Sequence, residues 1–92
     1  MNLGIDYDDT YTRDPIFWID FIKSAQARGH LVYVVTWRYP DECDDLCPEL
    51  VRVADGIYPT SRIAKFTYMY SQGIRIDVVI DDNPNSWTSH CQ

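Results

Sequence analysis

Short apolar segments alternate with helical segments along this chain, and the alternation limits the fold more than any other feature. Residues 3–5, 31–35 and 76–80 are apolar runs of strand length, and Ile57-Tyr58 leaves room for one further short strand. Helical patterns with capping residues lie between them. Strands that alternate with helices are typical of an α/β domain, in which crossover helices join the strands of a short parallel sheet.

The first helix has the clearest boundaries. Asp14 followed by Pro15 predicts an N-cap and a first helical residue, and Gly29 predicts the end of the helix. Weaker patterns predict a second helix over residues 48–54 and a third over residues 60–72. The buried face of the first helix is expected to carry Ile16, Ile19, Ile22 and Ala25.

The second half of the chain carries further expectations. Thr60 and Ser61 are candidate N-caps for the third helix, and Gly73 is its expected stop. Residues 83–92 are expected to form a short, loosely held tail. The 92 residues predict a single domain, and a homo-oligomer would supplement the modest stability of so small a core.

Polar side chains follow each predicted strand directly. Parallel strands joined by right-handed crossovers end at one edge of the sheet, and open α/β sheets bind ligands at that edge. Trp37 and Tyr39 would flank the edge and could stack on a base or a sugar. The residues expected to converge there are Asp6, Asp8 and Asp9, then Thr36, Trp37 and Arg38, then Thr60 and Ser61, and finally Asp81, Asp82 and Asn83.

The charge of the chain limits the classes of ligand that it can bind. The formal net charge is −6, and twelve of the fourteen acidic residues are Asp. Nucleic-acid binders present a basic face, which this composition makes hard to assemble, whereas short carboxylate side chains suit a hard cation such as Mg²⁺. No apolar run approaches the ~18 residues of a membrane span, and the N-terminus lacks the features of a signal peptide. These features predict a cytoplasmic protein with no membrane partner.

The cysteines argue against a secreted fold. Cys43, Cys47 and Cys91 are odd in number and do not suit the disulfide framework of a small secreted protein. Together with His90 they could form a zinc site, but their spacing matches no common zinc finger. Reduced structural thiols are therefore the expected state.

The order of the polar segments resembles the four motifs of the haloacid dehalogenase (HAD) superfamily of phosphohydrolases. That family has a first strand ending in Asp-x-Asp-x-Thr, a second ending in Ser or Thr, a Lys at the start of a later helix, and a strand ending in an acidic pair. The matching positions here are Asp6-Tyr7-Asp8-Asp9-Thr10, Thr36, Lys65 and Asp81-Asp82. The resemblance extends from residue 3 to about residue 84 and implies a three-layered Rossmann-like fold.

The resemblance also implies a Mg²⁺-dependent phosphatase that acts on a phosphomonoester. Asp6 would attack phosphorus and form an aspartyl-phosphate, and Asp8 would protonate the leaving oxygen and then activate water. Two carboxylates so close together repel each other when both are ionised, which raises the pKa of one of them. This would help Asp8 hold its proton while a metal keeps Asp6 ionised. Mg²⁺ would bind a carboxylate oxygen of Asp6, the backbone carbonyl of Asp8 and the acidic pair, chiefly Asp81 with Asp82.

Three further residues would contact the phosphoryl group of the substrate. Thr36 would donate a hydrogen bond to a phosphoryl oxygen, and Lys65 would neutralise the charge on Asp6 and on the transferring group. Arg38 could reach the phosphate or a second anionic group. The implied partner is a phosphorylated small molecule or a phosphorylated macromolecular end, and nucleic acid would enter only as such an end.

Two features depart from the family pattern. Many members have Gly where this chain has Asp9, but Asp tolerates a left-handed backbone better than most residues, so the turn can survive. Many relatives also insert a cap domain, whereas here only 25 residues separate Thr10 from Thr36 and 28 separate Thr36 from Lys65. No cap is expected, and an open site would suit a macromolecular end, a phosphorylated protein or a small ligand enclosed by a partner subunit.

Two other functions fit the same residues. The chain could be a binding or regulatory module that keeps the fold and the metal but lacks useful turnover, and Asp9 and the minimal loops leave room for this. It could also be a metal-dependent nuclease with a water nucleophile. The Thr36 and Lys65 matches and the acidic charge disfavour the nuclease.

Overall fold

A four-stranded parallel sheet is the centre of the fold in the computed structural model, which describes residues 1–91. The strands are β1 (Asn2–Ile5), β2 (Leu31–Thr36), β3 (Gly56–Pro59) and β4 (Val78–Ile80), in the order β3-β2-β1-β4 across the sheet. Three α-helices belong to the described chain: α1 (Pro15–Ala27), α2 (Pro48–Val53) and α3 (Lys65–Ser71). The predicted α/β class with a short parallel sheet is confirmed.

The helices pack on both faces of the sheet. On one face, Ile22 of α1 and Leu50 of α2 belong to the same buried cluster as Val34. On the other face, Met69 of α3 packs in a second cluster with Val35. Val34 and Val35 are neighbours in β2, and successive side chains of a strand point to opposite faces. The sheet therefore has one apolar core on each side.

The predicted boundaries of α1 are confirmed. The side chain of Asp14 accepts a hydrogen bond from the backbone N–H of Phe17 at 3.2 Å, as an N-cap does. Gly29 follows the helix with a φ of +86°, a left-handed conformation that glycine adopts without strain. Ile19, Ile22 and Ala25 are buried. Ile16, also expected to be buried, is 78% exposed, because it lies one turn before the part of the helix that covers the sheet.

The helix that carries Lys65 begins later than predicted. Thr60 and Ser61 do not cap α3, which starts at Lys65 itself. Ser61 and Arg62 have φ values of +55° and +69°, and a left-handed backbone cannot belong to a right-handed helix. A tight turn therefore separates β3 from α3. Gly73, with a φ of +77°, follows the end of α3 as predicted.

The expectation of a loosely held tail is wrong for the described residues beyond Asp82. Pro84–Trp87 form a 3-10 turn, and Trp87 is only 1% exposed. The Trp87 indole lies against β1 at Gly4, where a Cβ atom would overlap the indole ring. The backbone N–H of Ala64 donates to Nδ1 of His90 at 2.8 Å, so the tail also contacts the start of α3. Residue 92 lies outside the described residues.

The edge formed by the carboxyl ends of the strands is open in the described chain. Between β1 and β2 lie a 3-10 turn and α1, and between β2 and α3 lie a second 3-10 turn, α2 and β3.

None of the helices within residues 1–91 combines the length and apolar character that crossing a membrane requires.

The contact between Gly4 and Trp87 predicts that Gly4→Ala destabilises the protein. Adding one methyl group to a filled core costs about 1–3 kcal/mol in the free energy of unfolding, which urea denaturation will measure. Most of the loss should disappear in a Trp87→Phe background, because phenylalanine lacks the two ring atoms nearest the added Cβ. An equal loss in both backgrounds would contradict this packing.

Candidate functional site

One cleft of about 260 Å³ at the carboxyl edge of the sheet collects the predicted site residues. Thr60 and Ser61, which were also expected at this edge, do not line the cleft. The chain reaches the cleft at the ends of β1, β2 and β4 and at the start of α3. The candidate residues that line it are Asp6, Asp8, Thr36, Arg38, Lys65, Asp81 and Asp82.

Lys65 is the buried centre of the site. Its ammonium group lies 2.9 Å from Oδ1 of Asp6 and 2.7 Å from Oδ2 of Asp81. The Lys65 side chain is only 2% exposed, and those of Asp6 and Asp81 are 11% and 1% exposed. As the first residue of α3, Lys65 reaches across the ends of β1 and β4. One buried cation thus balances two buried carboxylates.

The pKa of Asp6 is shifted strongly upward. Burial raises it from 3.8 to about 7, and this effect outweighs the two favourable contributions of Lys65, its charge and its hydrogen bond. The nearby carboxylates of Asp81 and Asp82 contribute to this rise. Because Lys65 is shared with Asp81, it cannot fully offset the removal of Asp6 from water. Asp6 therefore holds its proton to a much higher pH than an ordinary aspartate does.

Asp8 has the opposite shift, which corrects the sequence-based expectation. Two hydrogen bonds from Arg38, at 2.7 and 2.9 Å, lower the pKa of Asp8 below its usual value. We expected Asp8 to hold a proton while a bound metal keeps Asp6 ionised. The pKa of Asp8 is instead lowered, because its side chain is 52% exposed and paired with a guanidinium, whereas burial raises the pKa of Asp6.

Asp81 is held by the segment that follows it. Its Oδ2 atom accepts hydrogen bonds from Ser86 Oγ at 3.0 Å and from the indole N–H of Trp87 at 2.8 Å, in addition to Lys65. The backbone N–H of Asn83 donates to Oδ1 at 2.9 Å. Sequence reasoning missed Ser86 and Trp87, since no periodic pattern or motif marks a side chain that bonds to a residue five or six positions earlier.

Thr10 joins the first motif to the acidic pair. Its hydroxyl donates to Oδ1 of Asp82 at 3.0 Å and accepts from the backbone N–H of Asp82 at 3.1 Å. The turn between Asp6 and Thr10 includes Asp9 with a φ of +61°, the left-handed backbone that we expected Asp to tolerate there. The Asp-x-Asp-x-Thr segment is thus folded against the end of β4.

Thr36 and its neighbours form the other wall of the cleft. The hydroxyl oxygen of Thr36 accepts a hydrogen bond from the backbone N–H of Arg38 at 3.3 Å, which leaves the hydroxyl proton available for a ligand. Trp37 lines the cleft beside it. Tyr39 does not line the cleft; it is 45% exposed and lies under the guanidinium of Arg62, 5.1 Å from the ring centroid. Trp37 is therefore the better placed aromatic for stacking.

Three carboxylates could hold one cation. One oxygen each of Asp6, Asp81 and Asp82 lie within 4.8 Å of one another. An all-oxygen set of this kind suits a hard divalent cation such as Mg²⁺. The side-chain carboxylate of Asp8 is outside this group and binds Arg38, so only its backbone carbonyl stays a predicted ligand. Asp81 is the most heavily hydrogen-bonded of the three, which makes Asp6 and Asp82 the more available ligands.

Comparison of the chain with models of protein families, with curated proteins and with solved structures finds no match. The HAD relationship therefore stays a resemblance in the order of four motifs.

Cys43 and Cys47 are free thiols outside the cleft, and neither belongs to the group formed by Asp6, Asp81 and Asp82.

The buried position of Lys65 predicts a large effect of Lys65→Met on stability. The substitution leaves Asp6 and Asp81 buried without a counter-charge and should cost about 3–5 kcal/mol of unfolding free energy at pH 8. The loss should be smaller at pH 5, where Asp6 is protonated and uncharged, since removal of Lys65 raises its pKa further. Urea denaturation in chelator-containing buffer measures both values.

Lys23→Met is the matched control for this prediction. Lys23 pairs with Glu49 at 3.8 Å, and both side chains are about half exposed. Its loss should cost less than about 1 kcal/mol at either pH. If Lys65→Met were as mild as Lys23→Met, the buried Asp6-Lys65-Asp81 group would be refuted.

Proposed function

We propose that this chain is a Mg²⁺-dependent phosphomonoesterase of the HAD type, which acts through an aspartyl-phosphate on Asp6. The observation that carries the proposal is the convergence of four separate segments at one cleft. The cleft is lined by a carboxylate from the end of β1 and a hydroxyl from the end of β2. An ammonium from the start of α3 and an acidic pair from the end of β4 complete the lining. These are the positions and residue types of the four HAD motifs.

Each residue has a role in the proposed reaction, and Asp8 must leave Arg38 and take up a proton from solvent before it can act as the acid. Asp6 attacks phosphorus, and the bond from phosphorus to the leaving oxygen breaks as that oxygen takes a proton from Asp8. Water then gives a proton to Asp8 and attacks phosphorus, and the bond to Asp6 breaks to release inorganic phosphate. Lys65 and Thr36 stabilise the negative charge of the transferring group, as donors that are already fixed in place.

The cation would be held by Asp6 and Asp82, with Asp81 close enough to join them. When bound, it supplies positive charge that lets an anionic nucleophile approach an anionic phosphate. Burial, with smaller contributions from Asp81 and Asp82, raises the pKa of Asp6, and a cation bound there would favour the ionised form. Ser86 and Trp87 donate hydrogen bonds to Asp81 and so fix the carboxylate that pairs with Lys65.

The substrate class follows from the open edge of the sheet. No described element between β1 and α3 covers the cleft, so a bulky phosphorylated group can enter. We therefore favour a phosphorylated macromolecular end or a phosphorylated protein over a small metabolite. A small substrate would need a partner subunit to exclude water.

Asp6→Asn is the direct test of the covalent mechanism. Hydrolysis of an aryl phosphate in the presence of Mg²⁺ should fall by at least about 10³-fold in the variant, since an amide cannot form the intermediate. Asp20→Asn, an exposed residue of α1, should leave the rate unchanged. A beryllofluoride adduct on Asp6 in a crystal structure would identify the nucleophile independently of the substrate.

The outcomes separate the three candidate functions. Turnover that survives Asp6→Asn excludes the aspartyl-phosphate. Metal binding without turnover of any phosphomonoester in a broad panel favours a binding or regulatory module. Cleavage of internal phosphodiester bonds favours the nuclease.

The pKa of Asp6 predicts how Mg²⁺ affinity depends on pH. Below pH 7 the cation must displace the proton that the raised pKa keeps on Asp6, so affinity should rise about tenfold per pH unit and level off above pH 7. Titration calorimetry in two buffers will measure the affinity and the proton released. The same dependence in Asp6→Asn would assign the proton to another group.

A further inference from the structure

The guanidinium of Arg38 holds Asp8 in a bidentate pair. Nε donates to Oδ2 at 2.9 Å, and Nη2 donates to Oδ1 at 2.7 Å. A phosphoryl group presents two oxygens that fit the same fork of donors. Asp8 therefore fills a position whose donors suit an oxyanion.

Arg38 has contacts that keep it in place without Asp8. Its Nη1 atom donates at 2.6 Å to Oδ1 of Asp45 and at 2.6 Å to the backbone carbonyl of Glu42. The guanidinium carbon lies 5.2 Å from the centroid of the Tyr7 ring. These contacts use the Nη1 atom and one face of the guanidinium, so the Nε–Nη2 edge can change its ligand while the side chain stays fixed.

Asp8 can also leave without becoming a buried, unpaired charge. Its side chain is 52% exposed, so water can solvate the carboxylate once it moves away from Arg38. The Arg38 side chain is only 19% exposed, but its contacts with Asp45 and with the carbonyl of Glu42 remain. Asp6 differs, because its partner Lys65 is 2% exposed and no solvent replaces the contact. Asp8 is thus the carboxylate that an incoming anion can displace.

We propose that the Nε–Nη2 edge of Arg38 is a binding site for the phosphoryl group of the substrate, and that Asp8 occupies this site until the substrate displaces it. The identity of the oxyanion rests on the proposed function. Thr36, two residues earlier, lines the same cleft and would contact the same phosphoryl group. Displacement removes Asp8 from the guanidinium that lowers its pKa, so the carboxylate can take up a proton from solvent and then give it to the leaving oxygen.

The site also lies where two clefts meet. A second depression of about 570 Å³ adjoins the first, and Asp8, Arg38 and Arg62 line both. The ester group of a substrate whose phosphoryl group binds Arg38 can therefore extend into either space. Its path does not have to cross the buried Lys65.

Competition for Arg38 is tested by the affinity of inorganic phosphate in chelator-containing buffer, measured by titration calorimetry. Asp8→Asn removes the internal competitor and should tighten phosphate binding by about threefold or more. Asp9→Asn removes the same charge from the same cleft without a contact to Arg38, and Asn suits its left-handed backbone, so its gain should be clearly smaller.

Arg38 variants complete the test. Arg38→Met should weaken phosphate binding by about tenfold, and in that background Asp8→Asn should improve affinity no more than Asp9→Asn does. Arg52→Met, which removes an exposed arginine of α2, should leave affinity unchanged. Arg38→Lys keeps the charge without the fork, and it should reduce both the affinity and the gain from Asp8→Asn.

Two results would overturn the proposal: equal gains from Asp8→Asn and Asp9→Asn, or a gain from Asp8→Asn that persists in Arg38→Met. Aryl phosphate turnover keeps these results separate from the proposed function. If turnover depends on Asp6 but Asp8→Asn and Asp9→Asn improve phosphate affinity equally, the phosphatase proposal stands and the displacement of Asp8 from Arg38 is rejected. Competition at Arg38 without turnover would keep the anion site and reject the phosphatase.

Discussion

The buried ammonium of Lys65 between two carboxylates is the interaction on which the site depends. Charged groups taken out of water are tolerated only when close partners satisfy them. Lys65 can meet Asp6 and Asp81 together only because β1 and β4 are adjacent parallel strands and α3 begins beside their ends. The adjacency of β1 and β4 in the sheet is thus what this buried ion group requires.

The residues that follow β4 complete this arrangement. Trp87 packs against β1 where Gly4 leaves space, and its indole N–H binds the oxygen of Asp81 that also receives Lys65. One side chain therefore links the apolar core to the charged site. This double role explains why the 3-10 turn of Pro84–Trp87 is folded onto the sheet.

The cleft has a buried part and an exchangeable part. Asp6, Lys65 and Asp81 are fixed by burial, so they can serve as a preorganised floor that needs little rearrangement during a reaction. The Asp8 side chain is more exposed, and under our proposal its pair with Arg38 is the one that a ligand replaces. The proposed function would then combine a rigid charge distribution with a proton donor that responds to substrate.

The sequence by itself determined the α/β class, the boundaries of α1 and the strand ends that carry Asp6, Thr36 and Asp81, because spacing, capping and turn residues act over a few positions. It failed at the start of α3 and at Trp87, where no local signal exists. The tertiary structure alone decided which of Asp6 and Asp8 is buried. Burial raises the pKa of Asp6, and Arg38, 30 residues from Asp8, lowers the pKa of Asp8. Burial and a partner so distant in sequence arise only after folding.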